Sequence, residues 1–400
     1  MLAGLLVAGV AGCTDGAADG PTGLATGPAA TPDPATPDPA TDDPATGGPA
    51  TGGPATEPSG PASVEVDVEV LATGLDVPWG IAPLDDGRVL LTERDAARLV
   101  LVGQDGTTTA VTGEGADALA DLVVPQGEGG LLGVAVLGAS GGAEGGADVA
   151  LYATTAQDNR VLRATLVGTE LGPLTTLLDG IPAARTHDGG RLAVGPDGYL
   201  YVSTGDAGEP SRAQDPDDLG GKILRITADG EPAPDNPVAG SPVWSLGHRN
   251  VQGMGWSSDG RMFASEFGQS TWDELNVVHR GANYGWPVVE GWGGADEGFV
   301  DPVAVWRTAD ASPSGLAVTD EGVYLAALRG QRLWRMQLLP PGGDDAAGVG
   351  ESQDLLVGEH GRLRAVAVDR DGSLLVVTGN TDGRGAPRDD DDRLLRVTPR

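Results

Sequence analysis

The 400-residue sequence has one cysteine, few basic residues and few aromatic residues. The single cysteine excludes an intramolecular disulfide and a cysteine-based zinc site. Lysine and arginine total 25 against 58 acidic residues, which gives a formal net charge of −33. Because a polyanion of this size repels nucleic acid and anionic lipid, both are excluded as partners. Aromatic residues make up 4% of the chain, but its 40% hydrophobic content can still build a core, in one large domain or two ordinary ones.

The first residues form a short apolar run, residues 2–12. This is about half of the ~20 residues that a membrane-spanning helix needs, and it is typical of a signal segment. The run ends in Val10-Ala11-Gly12-Cys13, which resembles the lipobox of bacterial lipoproteins. We therefore expect residues 1–13 to be a signal segment and Cys13 to be lipidated; the alternative is a buried structural cysteine. No basic residue precedes the run, which a misassigned start codon would explain.

Residues 14–62 have the composition of a disordered tether. They contain a repeated Pro-Ala-Thr unit and seven acidic residues, with no lysine, arginine or aromatic residue. Such a segment buries too little apolar surface to offset its chain entropy. The predicted organisation is therefore a signal segment, a tether, and a folded domain over residues 63–400, held outside the cytoplasm by a lipid anchor on the outer face of the cell membrane.

One hairpin pattern recurs six times in the folded domain: a small residue, a short apolar strand, a turn with glycine, and a second apolar strand. The turn glycines are Gly87, Gly146, Gly198, Gly260, Gly322 and Gly372. A hairpin every 50 to 62 residues, with no helical period between copies, predicts an all-β fold, a six-bladed β-propeller with four-stranded antiparallel blades. We expect the first strand of the domain, from Val64, to pair with the last, from Asp392, and so to close the ring.

Polar residues cluster where the hairpins begin and end. These two positions lie at the same end of an antiparallel pair, so the residues should meet at one mouth of the central channel. Several arginines there suit a ligand that carries carboxylates or phosphates; the alternative is that each pairs with a neighbouring acid. His187 can accept an alcohol proton near neutral pH, unless it is a structural histidine. His248 is expected to orient the following turn, and His279 and His360 to lie on the surface or in loops.

Five motifs follow one another in a fixed order: THDGGRLAVGPDGYLYVSTGD, AQDPDDLGGKILRI, GHRNVQGMGW, DELNVVHRGANYGWP and GRLRAV. Through them, the region from about Leu71 to Arg400 resembles the soluble glucose/sorbosone dehydrogenase family, especially its aldose sugar dehydrogenase branch. The resemblance implies pyrroloquinoline quinone (PQQ) and Ca²⁺ as cofactors and the oxidation of aldose sugars at the anomeric carbon. It also implies an external electron acceptor.

The resemblance also implies roles for individual residues. His187 matches the catalytic base, Arg249 would steady the quinone oxygens, and Asp206 would flank the base. The residues that match cofactor ligands are Glu128, Arg249, Asn250, Arg329, Arg362 and Arg364. The residues that match calcium positions are Gly268 and Gln269, through backbone carbonyls beside the cofactor, and Asp273, Glu274 and Tyr284, in a loop that holds structural calcium in some members.

Four positions depart from the family pattern. Glu128 stands where some members have glutamine, Gln269 where they have proline, Arg329 where they have lysine, and Phe267 where the aldose branch often has histidine. Two other functions therefore remain open: a propeller that binds without catalysis, and a calcium-dependent hydrolase of the lactonase type, which would need acids and amides around a metal.

Two loops, residues 291–299 and 381–388, are expected to select the sugar. The stretch TDGRGAPRDDDD from Thr381 is interpreted as a solvated loop, with an acidic docking patch for a redox partner as the alternative. The outer blade edges have no long apolar run, so a monomer is expected.

Overall fold

The computed structural model describes residues 63–139, 146–340 and 348–400. All described residues belong to one compact unit, Ser59–Arg400. Cys13 and the predicted tether lie outside the described residues. Within the described ranges, no helix is long and apolar enough to cross a membrane.

The described strands form six antiparallel sheets in succession, which confirms the predicted six-bladed β-propeller. Five sheets have four strands and the second has a fifth, the short β9. Blades one to three are β2 (Pro78–Pro83), β3 (Val89–Glu93), β4 (Arg98–Val102) and β5 (Thr108–Ala110); β6 (Leu131–Ala139), β7 (Ala147–Thr154), β8 (Asn159–Val167), β9 (Glu170–Leu171) and β10 (Thr175–Ile181); and β11 (Leu192–Val194), β12 (Leu200–Ser203), β13 (Lys222–Ile226) and β14 (Val243–Leu246).

Blades four to six are β15 (Val251–Trp256), β16 (Met262–Glu266), β17 (Trp272–Val278) and β18 (Ala304–Arg307); β19 (Pro313–Thr319), β20 (Gly322–Ala327), β21 (Arg332–Leu338) and β22 (Val349–Leu355); and β23 (Leu363–Val368), β24 (Leu374–Thr378), β25 (Leu394–Pro399) and β1 (Val66–Ala72). Each predicted hairpin forms the first two strands of a blade. The sixth blade closes the ring as predicted, because β1 pairs antiparallel with β25 and Val68 lies opposite Val397.

The described chain also contains one α-helix, α1 (Glu114–Leu122), and two short 3₁₀ helices, Pro210–Gln214 and Ala295–Glu297. The sequence pattern predicted no helix between the hairpins, and α1 corrects this. The helix has nine residues and buries only Gly115 and Leu119, so its apolar periodicity is too short to stand out.

The buried hydrophobic residues of the described chain form six clusters, one between each pair of neighbouring blades. In the cluster between blades one and six, Leu91 packs in a group with Leu375 and Val377, and all three side chains are fully buried. Burying one such side chain stabilises the fold by roughly 1.5–3 kcal/mol. The ring is therefore held together by interfaces between blades as well as by the strand pairing of the sixth blade.

Glycines allow the innermost strands to approach one another around the channel. A Cβ on Gly133 of β6 would lie 2.2 Å from the carbonyl oxygen of Gly190, and one on Gly253 of β15 would lie 2.5 Å from that of Ser314. Real Cβ atoms do not approach this closely, so the backbones of neighbouring blades meet directly. This narrow channel brings the first residues of successive hairpins within reach of one another.

Candidate active site

A small cavity of about 20 Å³ lies at the channel mouth where the hairpins begin. Every blade contributes to its wall. The lining residues are Trp79, Arg94, Glu128, Asp188, Gly189, Gln252, Phe267, Leu328, Arg364 and Arg384. The predicted convergence of polar residues on one mouth is therefore present in the structure.

His187 and Asp206 form a hydrogen-bonded pair beside this cavity. The His187 Nδ1 lies 2.6 Å from the Asp206 Oδ1. The Asp206 side chain is fully buried and also accepts hydrogen bonds from the Trp286 Nε1–H, at 2.9 Å, and from the backbone N–H of Gly208, at 2.8 Å. Burial alone would raise the pKa of Asp206, but the hydrogen bonds from His187, Gly208 and Trp286 lower it below its usual value.

This pairing fixes the tautomer of His187. An ionised carboxylate only accepts hydrogen bonds, so the Nδ1 of His187 carries the proton and its Nε2 has a free lone pair. The Nε2 accepts a hydrogen bond from the Arg249 guanidinium, at 2.9 Å. The pair therefore presents a neutral imidazole with a proton-accepting nitrogen next to a cation.

The backbone holds His187 in a restricted conformation. Its φ is 63°, in the left-handed region that residues other than glycine rarely adopt. A Cβ on Gly205 would lie 1.8 Å from the His187 carbonyl oxygen, so the two backbones are in direct contact. The loop before β11 is thus packed against the end of β12, and the ring position is set by the fold.

Arg249 and Asn250 lie in the turn before β15. The Arg249 guanidinium donates to the Phe267 carbonyl oxygen, at 3.1 Å, and lies 5.4 Å from the Trp286 ring centroid. Burial lowers its pKa from the usual value. No hydrogen-bond partner among the described residues contacts the buried Arg249 Nε or Asn250 Nδ2. The turn therefore offers two buried donors for an acceptor-rich ligand.

His248 orients this turn, as the sequence predicted. It is fully buried and bonds Ser245 Oγ and Glu266 Oε2, both at 2.9 Å. Its ring stacks on Tyr284 with centroids 4.6 Å apart. Glu266 also accepts a hydrogen bond from the backbone N–H of Arg249, so one buried carboxylate fixes both residues of the turn.

Arg362 and Arg364 reach the mouth from the start of β23, and Asp382 meets both. The Arg362–Asp382 distance is 2.7 Å and the Arg364–Asp382 distance is 3.6 Å. Other polar contacts of the Arg364 guanidinium, to Gln252 and Ser314, are long at 3.4 Å, and burial lowers its pKa to about 10. The buried Arg364 therefore retains donor capacity.

Most residues of the stretch from Thr381 are exposed, as expected of a solvated loop, but two of its carboxylates have partners inside the fold. Asp382 lies against the channel arginines. Asp392 is fully buried, where it accepts from the Thr378 hydroxyl at 2.8 Å. The pattern of consecutive acids indicated exposure, but two of the carboxylates have partners in the fold that a local sequence pattern does not reveal.

Glu128 lies between His187 and Arg384. Its Oε2 accepts from the His187 backbone N–H at 3.0 Å, and its Oε1 accepts from both terminal nitrogens of Arg384 at 3.1 Å. Burial alone would raise the pKa of Glu128, but these contacts lower it below its usual range. The carboxylate that departs from the family pattern is therefore ionised and paired with a guanidinium.

The residues that match calcium positions lie in two groups. Gly268, Glu274 and Tyr284 line one cavity of about 10 Å³ with Glu266 and Glu290. Within the described ranges, no group of three or more histidine, cysteine or acidic side chains is arranged to hold a metal ion. Carboxylate clustering alone therefore does not make a cation site here.

Asp273 and Gln269 do not line that cavity. Asp273 accepts hydrogen bonds from the backbone N–H of Gly268, at 2.9 Å, and of Ser312, at 2.7 Å, and burial raises its pKa to about 6. In this arrangement Asp273 holds the turn that presents the Gly268 carbonyl. Along the described chain, no donor hydrogen-bonds to the carbonyl oxygens of Gly268 and Gln269.

One buried arginine, packed against residues of the mouth, escaped sequence reasoning. Arg191 lies 4.1 Å above the Trp79 ring, donates to the Gln252 carbonyl oxygen at 2.8 Å, and has its pKa lowered to about 9 by burial. It begins the third repeat just as Arg364 begins the sixth, and an alignment of the repeats would have found it. Asp188, unlike Arg191, lines the mouth cavity itself, and burial raises its pKa to about 6.

The fold and the site define a six-bladed β-propeller with a histidine–aspartate pair and a cluster of arginines at its channel mouth. The family model described as glucose/sorbosone dehydrogenase matches residues 75–395. The chain therefore belongs to the glucose/sorbosone dehydrogenase family, as the motifs indicated.

Three relatives illustrate this membership. The PQQ-bound aldose sugar dehydrogenase of Streptomyces coelicolor is 48% identical, with a TM-score of 0.78, over 85% of this chain and 99% of that one. A putative oxidoreductase (glucose dehydrogenase) from Thermus thermophilus is 41% identical, with a TM-score of 0.75, over 84% of this chain and all of that one. The aldose sugar dehydrogenase YliI of Escherichia coli is 30% identical over 85% of this chain and 94% of that protein.

Proposed function

We propose that this protein is a quinoprotein that oxidises aldose sugars at the anomeric carbon, with PQQ and Ca²⁺ as cofactors and an external electron acceptor. The observation that carries the proposal is the oriented His187, whose Nδ1 is bonded to Asp206 and whose unprotonated Nε2 accepts a hydrogen bond from Arg249. The PQQ-bound relative at 48% identity supports the choice of cofactor.

The donor set of the mouth fits an anionic, acceptor-rich cofactor. The Arg249 Nε and the Asn250 Nδ2 are buried without a partner among the described residues. The buried Arg364 has only contacts of 3.4 Å or longer at its terminal nitrogens. PQQ carries three carboxylates and two quinone oxygens, and arginine pairs well with carboxylates. Arg364, Arg362 and Arg329 would hold the carboxylates, and Arg249 and Asn250 the remaining oxygens.

When bound, PQQ supplies the two-electron oxidant that takes hydride from the anomeric carbon, and Ca²⁺ acts as a Lewis acid beside it. The chain's own residues do the proton chemistry. His187 Nε2 accepts the proton of the anomeric hydroxyl, and Asp206 keeps the ring in the correct tautomer and stabilises the imidazolium that forms. Arg249, which contacts the same Nε2, must release it for this step.

Calcium would be held at the turn after β16. The carbonyl oxygens of Gly268 and Gln269 accept no hydrogen bond from a described residue, and calcium prefers such oxygen ligands. Two carbonyls are too few for the six to eight oxygens that calcium takes, so the cofactor and water would complete the site. We expect EGTA treatment to remove dye-reducing activity and added Ca²⁺, but not Mg²⁺, to restore it. Full activity in calcium-free buffer would contradict the calcium requirement.

The test is reconstitution of the purified full chain with PQQ and Ca²⁺, followed by glucose-dependent bleaching of an electron-accepting dye. His187→Ala should lower the turnover number by about 10²–10⁴, the usual contribution of an acid–base group. The exposed His279 provides a matched control, because His279→Ala removes an imidazole outside the mouth. Equal loss in both variants, or full activity in His187→Ala, would overturn the proposed role.

One observation favours a second candidate, a propeller that binds without catalysis. Asp382 already meets Arg362 and Arg364. A cofactor carboxylate at these two arginines would therefore have to replace Asp382. Quinone absorbance on the protein without dye reduction would support this candidate. A calcium-dependent hydrolase is not favoured, because no metal-holding group of acids is found in the described part of the chain.

We also propose that Cys13 carries lipid and that residues 14–62 tether a monomeric domain to the outer face of the cell membrane. The support is the Val10-Ala11-Gly12-Cys13 sequence and the composition of the tether. Cell fractionation with labelled fatty acid should find label in the membrane-bound wild type, and Cys13→Ala should lose both label and membrane association. Membrane association without label in the wild type would contradict this anchor.

A further inference from the structure

A separate cavity of about 260 Å³ lies in the central channel, on the side away from the mouth. We call it the lower channel cavity. All six blades contribute to its wall through residues in or next to their innermost strands: Arg191, Ile81, Val134 and residues 192–194, 254–256, 316–318 and 365–368. Among these described residues, Arg191 alone carries a charge, and the others are hydrophobic residues and one glycine. The lower channel cavity is therefore an apolar chamber with one cation in its wall.

Arg191 lies between the lower channel cavity and the mouth. Its guanidinium carbon is 4.1 Å from the centroid of the Trp79 ring, and its Nε donates to the Gln252 carbonyl oxygen at 2.8 Å. Trp79 and Gln252 line the mouth cavity, whereas Arg191 lines the lower one. The backbone N–H of Arg191 also donates to the Ser203 Oγ at 2.9 Å. Because these contacts come from blades one, three and four, the guanidinium is held across the channel.

The positive charge of Arg191 is not neutralised by the described residues. None of their acidic groups forms an ion pair with it, and its buried Nη2 has no hydrogen-bond partner among them. Burial, and to a smaller extent the charge of Arg364, lowers the pKa of Arg191 to about 9, so it is still protonated at neutral pH. A buried charge without a partner is costly, and a guanidinium has five N–H donors to offer. Arg191 is therefore suited to bind an anion.

The other end of the lower channel cavity opens to solvent between valines. Val194 and Val368 line the cavity and are 36% and 38% exposed. They end the innermost strands of blades three and six, β11 and β23. Covering such apolar surface with another apolar group is favourable. An apolar cavity of about 150 Å³ holds benzene, so this larger one has room for an alkyl chain of about six carbons.

We propose that the lower channel cavity binds a straight-chain monocarboxylate, with the carboxylate on the Arg191 guanidinium and the alkyl tail along the hydrophobic wall. A planar guanidinium pairs well with a carboxylate. An inorganic anion would give up its hydration among hydrophobic residues for a single charged contact, whereas an alkyl tail gains free energy from the same wall. A dianion would bury a second charge without a partner.

Calorimetric titration of sodium hexanoate into the full chain, with and without PQQ and Ca²⁺, tests this site. We expect the same affinity in both cases, because the lower channel cavity is separate from the mouth. Affinity should rise about fourfold with each methylene from butanoate to hexanoate, as expected for burial of an alkyl tail. 1-Hexanol, which has the tail without the charge, should bind at least about tenfold more weakly.

Three results of these titrations would overturn the proposal. The first is no binding of hexanoate. The second is nitrate binding as tightly as hexanoate, or an affinity that does not depend on tail length, since the wall would then make no contact with the ligand. The third is competition between hexanoate and PQQ, which would place the carboxylate on the arginines of the mouth.

Arg191→Met tests the residue that would hold the carboxylate. It should weaken hexanoate binding about tenfold to hundredfold, the usual effect of losing a charge-assisted contact, and leave 1-hexanol binding unchanged. Arg307→Met is the matched control, because Arg307 is an exposed arginine on β18, the outermost strand of blade four. It should not change the affinity for hexanoate. Equal weakening in the two variants would contradict the role of Arg191.

A second pair of variants tests the opening, where substitution does not disturb the contacts of Arg191. Val368→Asp should bind hexanoate about threefold to tenfold more weakly than Val368→Asn, because like charges repel. This difference should shrink between about 50 mM and about 500 mM NaCl, since salt screens exposed charges. Equal affinities in the two variants at low salt would contradict binding in the lower channel cavity.

Hexanoate binding and sugar oxidation are separable outcomes. If the chain binds hexanoate through Arg191 but neither binds PQQ nor oxidises glucose, the proposed oxidation is wrong and the channel site stands. If the chain oxidises glucose with PQQ but binds no hexanoate, the channel site alone is refuted.

Discussion

The Asp206→Asn substitution tests how the candidate base is held. The Asp206 carboxylate accepts three hydrogen bonds: His187 Nδ1–H and Gly208 N–H at Oδ1, and Trp286 Nε1–H at Oδ2. Asparagine offers one oxygen and one NH₂ group in the same space. We expect the oxygen to take the side with two donors, so the NH₂ group faces the indole N–H of Trp286.

The expected effects follow from this orientation. The Trp286 N–H loses its acceptor in a buried place, which costs about 1–3 kcal/mol of unfolding free energy. His187 keeps its tautomer but loses a carboxylate that would stabilise its protonated form. A hydrogen bond to a charged group contributes about 1.5–3 kcal/mol against about 1 kcal/mol for a neutral one, so kcat/KM should fall about twofold to thirtyfold. This is less than the loss expected for His187→Ala.

Urea unfolding and dye-reduction kinetics measure the two effects separately. Trp286→Phe removes the indole donor, so adding it to Asp206→Asn should recover most of the lost stability without recovering activity. Two results would refute the reasoning. One is an activity loss in Asp206→Asn equal to that of His187→Ala, which would mean that the tautomer had changed. The other is no stability recovery in the double variant.

Three further substitutions have expected outcomes. Burial raises the pKa of Asp188 to about 6, so ionising this carboxyl lowers the unfolding free energy as the pH rises from about 4 to about 6. In urea titrations, Asp188→Asn should raise the unfolding free energy by up to about 3 kcal/mol near pH ~7.5 and should leave it unchanged near pH ~4. Gly253→Ala should lower the unfolding free energy by about 1–3 kcal/mol, because the new Cβ would lie 2.5 Å from the Ser314 carbonyl oxygen. Gly172→Ala is the control: its Cβ would lie 3.4 Å from the Thr165 carbonyl oxygen, an ordinary contact, so stability should not change. Arg364→Met should lower PQQ affinity at least tenfold, as measured by spectroscopic titration. It should not lower the unfolding free energy, because it removes a buried charge that has only weak partners; a large loss of stability would contradict this reasoning.

The fold was predictable because its information is local. Each hairpin is specified by two short apolar strands and a turn glycine, so the pattern predicts it without knowledge of the other blades. The closing pair of β1 with β25 was also accessible, since these were the remaining strands at the ends of the domain. The helix α1 was missed because its nine residues bury only two positions.

Only those site residues that lie at the start or end of a hairpin could be predicted from the sequence pattern. The start and end of each hairpin correctly placed His187, Asp206 and Arg249 at one mouth. Pairs that join distant segments were not predictable: Arg384 and Glu128 are 256 positions apart. The unusual Glu128 was visible in the sequence, but its partner Arg384 is an exposed residue of a distant loop, and no local pattern shows that the two segments meet.

The mouth and the arginine packed against it concentrate positive charge at a cost to the stability of the fold. Burial lowers the pKa of Arg191 to about 9 and of Arg364 to about 10, and the charge of Arg364 further disfavours protonation of Arg191. A core designed only for stability would replace such groups with apolar ones. This protein, with a net charge of −33, instead keeps these buried arginines, and beside them the Arg249 Nε and Asn250 Nδ2 donors, which have no hydrogen-bond partner among the described residues. The same groups that destabilise the empty mouth would stabilise a bound anion. An anionic ligand should therefore raise the unfolding free energy of the protein. Asp382 reduces this cost in the absence of ligand, and it is the contact that an incoming carboxylate must replace.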